Sequence, residues 1–277
     1  MPSSGGTAMF VAQRRHKIKE RLIQQRSVKV AELVKEFSVS EETIRRDLNQ
    51  LEREGILRKD YGGAILVEDL QLSLASVPPV QHRAQHFTEE KERIAEAAAA
   101  LVGPGSIVVM DAGSTTLCLA KHLGSGEIDG LTVLTNGLNV AEQCSQNDNA
   151  NVFVIGGKLI RKSMSLVGSQ AEWELRKYNA DIAFLGASGV STNRGFGSFD
   201  LYEAEMKKAM VAAGRKVVIL ADHSKFEKQA LISFASFKDV DVLITSDLVD
   251  PHTLRSIEQA GVRTIVCPTR RLLREEA

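Results

Sequence analysis

The chain has 277 residues, of which 43% are hydrophobic and 25% are charged, as is ordinary for a globular protein. No apolar run approaches the roughly eighteen residues of a membrane span, and the small, polar N-terminus lacks a secretory core, so we expect a cytoplasmic protein without a membrane partner. The net charge is zero, but residues 1–66 carry 13 basic against 9 acidic side chains, which suits a polyanion bound by this part alone.

The first part of the chain has the pattern of a small DNA-binding unit. Helices are predicted at 13–25, 30–37 and 40–54, and short strands at 56–58 and 64–67. Ser40 is the expected N-cap of the third helix. A three-residue connection between two helices, within about 30–49, is typical of a helix-turn-helix that enters the major groove. The pattern predicts a winged helix-turn-helix domain at 10–67, after a disordered leader at 1–9.

The third predicted helix carries side chains that could read DNA. Its apolar positions Ile44, Leu48 and Leu51 recur with helical spacing and should face the core, which turns Arg45 and Arg46 outward. Arginine can bind a guanine bidentately or clamp a phosphate. From spacing alone, a solvated basic face used for protein contacts is the alternative.

Residues 68–87 lose this periodicity and contain Pro78 and Pro79, which predicts a linker. Beyond it, in 88–277, helices alternate with apolar, β-branched runs. Strands are predicted at 107–110, 131–135, 152–155, 182–185, 216–220, 242–245 and 264–266. Helices are predicted at 88–102, 116–123, 138–146, 169–177, 200–213 and 251–260. This alternation indicates an α/β domain built on a mainly parallel sheet that is covered on both faces.

Polar or glycine-rich loops follow five of these predicted strands, and the first runs from Asp111 to Thr116. This loop offers backbone N–H groups and hydroxyls at the start of a helix, which favours an anion. Each loop alone could be a turn or a helix cap, but together they predict a ligand pocket at the carboxyl edge of the sheet. Lys225 is the better candidate to bind an anion, since Lys207 has the setting of a solvated helix face. The histidines and the three separated cysteines predict no metal site, cofactor or disulfide.

A resemblance sharpens the first prediction. The stretch VKVAELVKEFSVSEETIRRDLNQLEREGILRKDYGGA closely resembles the helix-turn-helix signature of DeoR-family bacterial transcriptional regulators. The resemblance implies a recognition helix at 40–54 and leaves Asp47 a structural role. The candidates for contacting DNA are Ser40, Thr43, Arg45, Arg46, Arg58, Lys59 and Tyr61.

The segments DAGSTT, VLTNGLNVA, VIGGKL, DIAFLGASGV, EAEMKKAM and DHSKF resemble landmarks of the DeoR-family effector domain. That domain resembles the sugar-phosphate isomerase and CoA-transferase fold, and it implies a repressor of a sugar-metabolism operon that responds to a phosphorylated sugar. The positions expected around the effector are Asp111, Gly113, Ser114, Thr115, Thr116, Asn136, Gly156, Gly157, Lys158, Lys207 and Lys225. Because one winged head buries little surface on DNA, we also expect a homo-oligomer, either a dimer or a tetramer.

The alternative function is an enzyme of the sugar-phosphate isomerase type. Aldose–ketose isomerisation needs a carboxylate base beside the substrate. Related isomerases carry paired aspartates at a strand end that reads Gly186–Gly189 here, and Glu203 and Glu205 are explained by pairing with lysines on their own predicted helix. We therefore expect no enzymatic activity.

Overall fold

The computed structural model describes residues 11–53, 56–60, 62–66, 78–126, 128–226, 228 and 230–269. The chain divides into two compact units between Ser76 and Val77. The predicted leader at 1–9, Tyr61 and residues 68–77 of the predicted linker lie outside the described residues. No helix within the described ranges is long and apolar enough to cross a membrane.

The first unit is a helix-turn-helix with a small sheet. Its helices are α1 (Val11–Gln25), α2 (Val30–Phe37) and α3 (Glu41–Arg53), and its strands are β1 (Ser27–Lys29), β2 (Leu57–Asp60) and β3 (Gly63–Leu66). The three strands pair antiparallel in the order β1-β3-β2. The predicted apolar face of α3, with Ile44, Leu48 and Leu51, is fully buried. A winged helix-turn-helix is therefore confirmed, with β1 as a strand that the sequence did not predict.

The start of α3 is capped by Ser40, as predicted. The Ser40 Oγ accepts a hydrogen bond from the backbone N–H of Thr43 at 3.2 Å and lies 2.8 Å from the Thr43 hydroxyl. Ser40→Ala leaves that N–H without a side-chain acceptor, so we expect a loss of about 1 kcal/mol in unfolding free energy of the first unit. Thermal unfolding measures the effect, and Ser40→Asn, which keeps an acceptor, should retain nearly the wild-type stability.

The second unit is built on a sheet of seven parallel strands in the order β15-β14-β12-β9-β4-β5-β6. These strands are β4 (Ile107–Met110), β5 (Thr132–Thr135), β6 (Asn151–Val154), β9 (Ala180–Gly186), β12 (Gly214–Leu220), β14 (Val242–Ser246) and β15 (Arg263–Cys267). Helices between them are α5 (Thr88–Ala99), α6 (Ser114–Ser125), α7 (Leu138–Cys144), α8 (Ser169–Leu175), α9 (Leu201–Ala213) and α10 (Pro251–Gln259). The predicted parallel α/β fold is confirmed.

Several short elements of the second unit were not predicted. They are α4 (Val80–Gln85), β7 (Lys158–Ile160), β8 (Ser165–Val167), β10 (Gly189–Ser191), β11 (Gly195–Ser198) and β13 (Ile232–Ala235). The strands form a hairpin, β7-β8, and a three-stranded antiparallel sheet, β10-β11-β13. Since Val80 is buried and its N–H donates to the carbonyl of Lys162 at 2.7 Å, α4 belongs to the second unit rather than to the linker predicted at 68–87.

The three cysteines are buried and free, as expected. Burial raises the pKa of Cys118 to about 11 and the pKa of Cys144 to about 12. Burial likewise raises the pKa of Cys267 to about 11. The thiols are therefore protonated at neutral pH. Within the described ranges, no group of three or more His, Cys, Asp or Glu side chains could hold a metal ion.

Candidate functional site

The outward face of α3 presents two arginines. The side chains of Arg45 and Arg46 are 60% and 76% exposed. Each forms an ion pair of 2.6 Å one turn back along the helix, Arg45 with Glu41 and Arg46 with Glu42. Exposed pairs of this kind contribute only about 0.3–0.5 kcal/mol, so both guanidinium groups can exchange a carboxylate for a phosphate or a base at small cost.

Behind this face, Asp47 fixes the orientation of α3. Its carboxylate is buried and accepts hydrogen bonds from the Nε of Arg14 at 2.6 Å and the Nε of Arg15 at 2.7 Å. Both arginines belong to α1, so these bonds tie the two helices together. The structural role expected of Asp47 is therefore confirmed.

The strand that follows α3 is attached to it through Lys59. The Lys59 backbone N–H donates to the carboxylate of Glu52 at 3.1 Å, and its ammonium lies 2.9 Å from the Asn49 side-chain oxygen. Arg58, beside it, is exposed. Lys59 thus holds the strand against the helix, while Arg58 is open to solvent. Tyr61, the remaining candidate on this hairpin, lies outside the described residues.

The second unit has a cleft at the carboxyl edge of its sheet, with about 530 Å³ of empty space that is partly open to solvent. Residues from several strand ends and from α4, α6 and α9 line it. Predicted positions in its lining are Asp111, Gly113, Ser114, Thr115, Asn136, Lys207 and Lys225. Four of the five loops that were predicted to meet at this edge therefore do contribute to the cleft, and the loop at 156–158 does not.

Asp111 organises the floor of the cleft. Its Oδ1 accepts hydrogen bonds from the Thr116 hydroxyl at 2.6 Å and from the Gly113 N–H at 3.0 Å. Its Oδ2 accepts the Gly186 N–H at 2.9 Å and forms an ion pair with Lys207. A carboxylate with this many partners joins β4, β9, α6 and α9, so Asp111 shapes the cleft more than it offers a free acceptor.

Lys207 is buried in this network, so its expected place on a solvated helix face is wrong. Besides its pair with Asp111, its ammonium donates to the carbonyl of Gly186 at 2.9 Å. Burial and, secondarily, the positive charge of Arg83 lower its pKa to about 7. An anion bound nearby would favour the charged form, because opposite charges at short range raise the pKa of a lysine.

Part of the cleft lining is suited to an anion. Ser114 and Thr115 begin α6, whose N-cap Gly113 provides no side-chain acceptor for the first N–H groups of the helix. No hydrogen bond of either hydroxyl is formed with the described residues. Lys225 points into the same space, and its Nζ lies 3.6 Å from the Asp222 carboxylate. Burial lowers the pKa of Lys225, while the charge of Asp222 opposes this shift.

The lining also offers hydrogen-bond acceptors. The amide nitrogen of Asn136 donates to the carbonyl of Leu166 at 2.9 Å, and its Oδ1 is buried without a partner in the described ranges. The carboxylate of Glu203 also lines the cleft, 3.5 Å from the hydroxyls of Ser165 and Ser198. Such acceptors suit the hydroxyl groups of a polyol.

Four predicted effector positions do not line this cleft: Thr116, Gly156, Gly157 and Lys158. The Thr116 hydroxyl is used within the protein, on Asp111 and on the carbonyl of Gly113. Lys158 belongs to β7 and places its ammonium 5.0 Å from the centre of the Tyr202 ring. Because Gly156 and Gly157 lead into this hairpin, their glycine-rich loop turns the chain rather than facing the cleft.

Two charged lining residues were missed. Arg83 lies in the stretch predicted to be a linker, and no periodicity marked it. Glu203 was explained by pairing along its helix, which is correct only for Glu205, whose partner is Lys208 at 3.0 Å. The glutamate that completes the cleft could have been recognised from its spacing of four residues from Lys207, which places both on the same face of the helix.

Comparisons with known proteins agree with this architecture. A family model described as the DeoR-like helix-turn-helix domain matches residues 14–69, and one described as the DeoR C-terminal sensor domain matches residues 86–247. The chain is 32% identical to a putative aga operon transcriptional repressor of Escherichia coli O157:H7, covering 92% of this chain and 93% of that protein. It is 34% identical to the glycerol-3-phosphate regulon repressor of Escherichia coli K12, covering 86% and 91%. Ribose 5-phosphate isomerase A of Methanocaldococcus jannaschii aligns with a TM-score of 0.37 at 20% identity, covering 49% of this chain and 53% of that one.

Proposed function

Because the chain belongs to the DeoR family of transcriptional regulators, we propose that it represses a sugar-metabolism operon and that a phosphorylated sugar in the cleft controls its hold on operator DNA. In this proposal α3 enters the major groove, with Arg45 and Arg46 on bases or phosphates. The protein would act in the cytoplasm, where a bacterial operator is found.

The observation that carries the effector proposal is the mixed chemistry of the cleft lining, which contains both anion-binding groups and hydrogen-bond acceptors. Unpartnered hydroxyls of Ser114 and Thr115 lie at a helix start, with Lys225 in the same lining. Helix N-termini, hydroxyls and ammonium groups together favour a dianionic phosphate. In the same lining, Asn136 and Glu203 supply acceptors for sugar hydroxyls. A free sugar would leave the anion-binding groups without a counter-charge.

The enzyme alternative is not supported. The two curated relatives are named as repressors, and the chain is a transcriptional regulator. The position that would need paired aspartates holds Gly186, Ala187 and Ser188, which line the cleft without an ionisable group.

Calorimetric titration tests the effector proposal. The panel consists of ribose 5-phosphate, fructose 6-phosphate and glycerol 3-phosphate, each beside its dephosphorylated parent and beside inorganic phosphate. We expect at least one sugar phosphate to bind at least about tenfold more tightly than its parent, because a charge-assisted hydrogen bond contributes about 1.5–3 kcal/mol. The same compound should change operator affinity in a gel-shift titration. A parent sugar that binds as tightly as its phosphate would contradict the proposal.

We also propose a homo-oligomer of at least two chains. A single winged helix-turn-helix domain buries little surface on DNA, so tight and specific binding requires two such domains on two half-sites. Sedimentation velocity of the protein alone should give at least a dimer, and the operator should contain repeated half-sites about 10 base pairs apart or a multiple of this. A protein that sediments as one chain, both free and saturated with operator, would refute this.

A further inference from the structure

One short helix of the second unit contributes a side chain to the cleft and also lies close, along the chain, to the boundary with the DNA-binding unit. α4 (Val80–Gln85) begins shortly after the division between the units at Ser76, and its Arg83 lines the cleft. Any ligand that contacts Arg83 therefore contacts the first structured element of the second unit. The side chain is well placed to link the content of the cleft to the position of α4.

Both ends of this helix are fastened to the second unit. At its start, Val80 is buried and its N–H donates to the carbonyl of Lys162 at 2.7 Å. At its end, the buried Lys91 of α5 donates its ammonium to the carbonyls of Arg83 and His86, the latter at 2.5 Å. A buried lysine is costly unless it is paired, so its use as a cap on these carbonyls shows that the end of α4 is closely held.

The Arg83 guanidinium has unused donors. Its Nε donates to the carbonyl of Pro78 at 3.2 Å, and among the described residues its two terminal nitrogens form no hydrogen bond. Burial lowers its pKa, and the charges of Glu203 and Asp222 oppose this shift. Two parallel N–H groups match the oxygens of a phosphate better than any other common side chain does.

Three cations, Arg83, Lys207 and Lys225, line the same cleft. Besides burial, the charge of Arg83 lowers the pKa of both lysines and so repels each of them, although Asp111 and Asp222 pair with the two ammonium groups. A dianion between them would replace this repulsion by attraction. It would favour the arrangement in which α4 holds Arg83 towards the cleft, and a ligand shifts an equilibrium only through such a difference in affinity.

We propose that Arg83 binds the phosphate of the effector through its terminal nitrogens and that this contact fixes the segment 78–87, which leads to the DNA-binding unit. The inference deepens the proposed function and rests on it. Arg83 then binds the effector directly, and through this contact the binding of effector changes the segment that leads to the DNA-binding unit.

The first test is titration of the full chain with the same three sugar phosphates. Arg83→Gln should lower the affinity of the compound that wild type binds by about 10- to 100-fold, because charge-assisted hydrogen bonds are lost. Arg83→Lys keeps the positive charge but not the two parallel N–H donors of the guanidinium, so it should recover only part of the affinity. His82→Gln, at an exposed neighbour on the same helix, is the control and should bind as wild type does.

The second test is amide hydrogen exchange across 78–87. The N–H groups of Arg83 and His86 donate within the segment, to the carbonyls of Pro79 at 3.0 Å and Arg83 at 3.3 Å. Saturating effector should slow their exchange in wild type and in His82→Gln. At matched occupancy, it should slow them less in Arg83→Gln.

Wild-type affinity in Arg83→Gln, or exchange in wild type that saturating effector leaves unchanged, would overturn the inference while the proposed function stands. Failure of wild type to bind any compound of the panel would instead overturn the proposed function and the inference together.

Discussion

Replacing Arg45 and Arg46 together with alanine is expected to weaken operator binding by at least about 30-fold, because each base contact contributes about 1–3 kcal/mol. The fold should not suffer. Both side chains are mostly exposed, and among the described residues their partners are Glu41 and Glu42 on the same helix. The structure thus separates the loss of DNA binding from a loss of stability.

Gel-shift titration at several salt concentrations tests this prediction and also distinguishes a base contact from a phosphate contact. If one arginine contacts a base, its single replacement should relax sequence preference at one position. If it contacts a phosphate, all sequences should weaken alike and the salt dependence should become less steep. Arg215→Ala is the matched control, because Arg215 is an exposed, ion-paired arginine of the second unit. Wild-type operator affinity in the Arg45/Arg46 double variant would rule out the docking of α3.

The long elements of the fold could be predicted because their burial follows a simple period. The five inner strands of the parallel sheet are mostly buried and therefore read as continuous apolar runs, whereas the edge strands β6 and β15 are more exposed. The short strands could not be predicted, because they are defined by their partners. β1 alternates exposed and buried side chains over only three residues, and it forms a strand because Ser27 pairs with Ile65 and Lys29 with Gly63.

The cleft was predicted where it depends on strand ends and missed where it depends on tertiary contacts. The loop from Asp111 to Thr115 follows a strand, so topology alone brought it to the edge of the sheet. Arg83 reaches the same place only because α4 is fastened by Lys162, which is distant in sequence, and by the ammonium of Lys91 in the next helix. Lys207 was wrongly assigned to a solvated helix face because the sequence does not reveal that most of α9 is buried.

The second large effect is expected from changing two anion-binding groups of the cleft together, Thr115→Val combined with Lys225→Ala. Thr115 is buried, so valine keeps its volume and removes the hydroxyl alone. Loss of two contacts to a phosphate, each contributing about 1.5–3 kcal/mol, should weaken effector binding by at least about 100-fold. At concentrations that saturate wild type, the variant should therefore show no change in operator affinity when the effector is added.

The variant should still bind operator in the absence of effector, because neither residue belongs to the DNA-binding unit. Lys228→Ala is the matched control. Lys228 is an exposed lysine close to Lys225 in sequence but does not line the cleft, so this variant should respond to the effector as wild type does. Linkage adds an independent check: in wild type, operator DNA must change effector affinity by the same factor by which the effector changes operator affinity. That factor should be measurable in the Lys228 variant and lost in the double variant. If the double variant responds at the wild-type effector concentration, the phosphate does not bind at the start of α6, and the effector-sensing proposal is wrong.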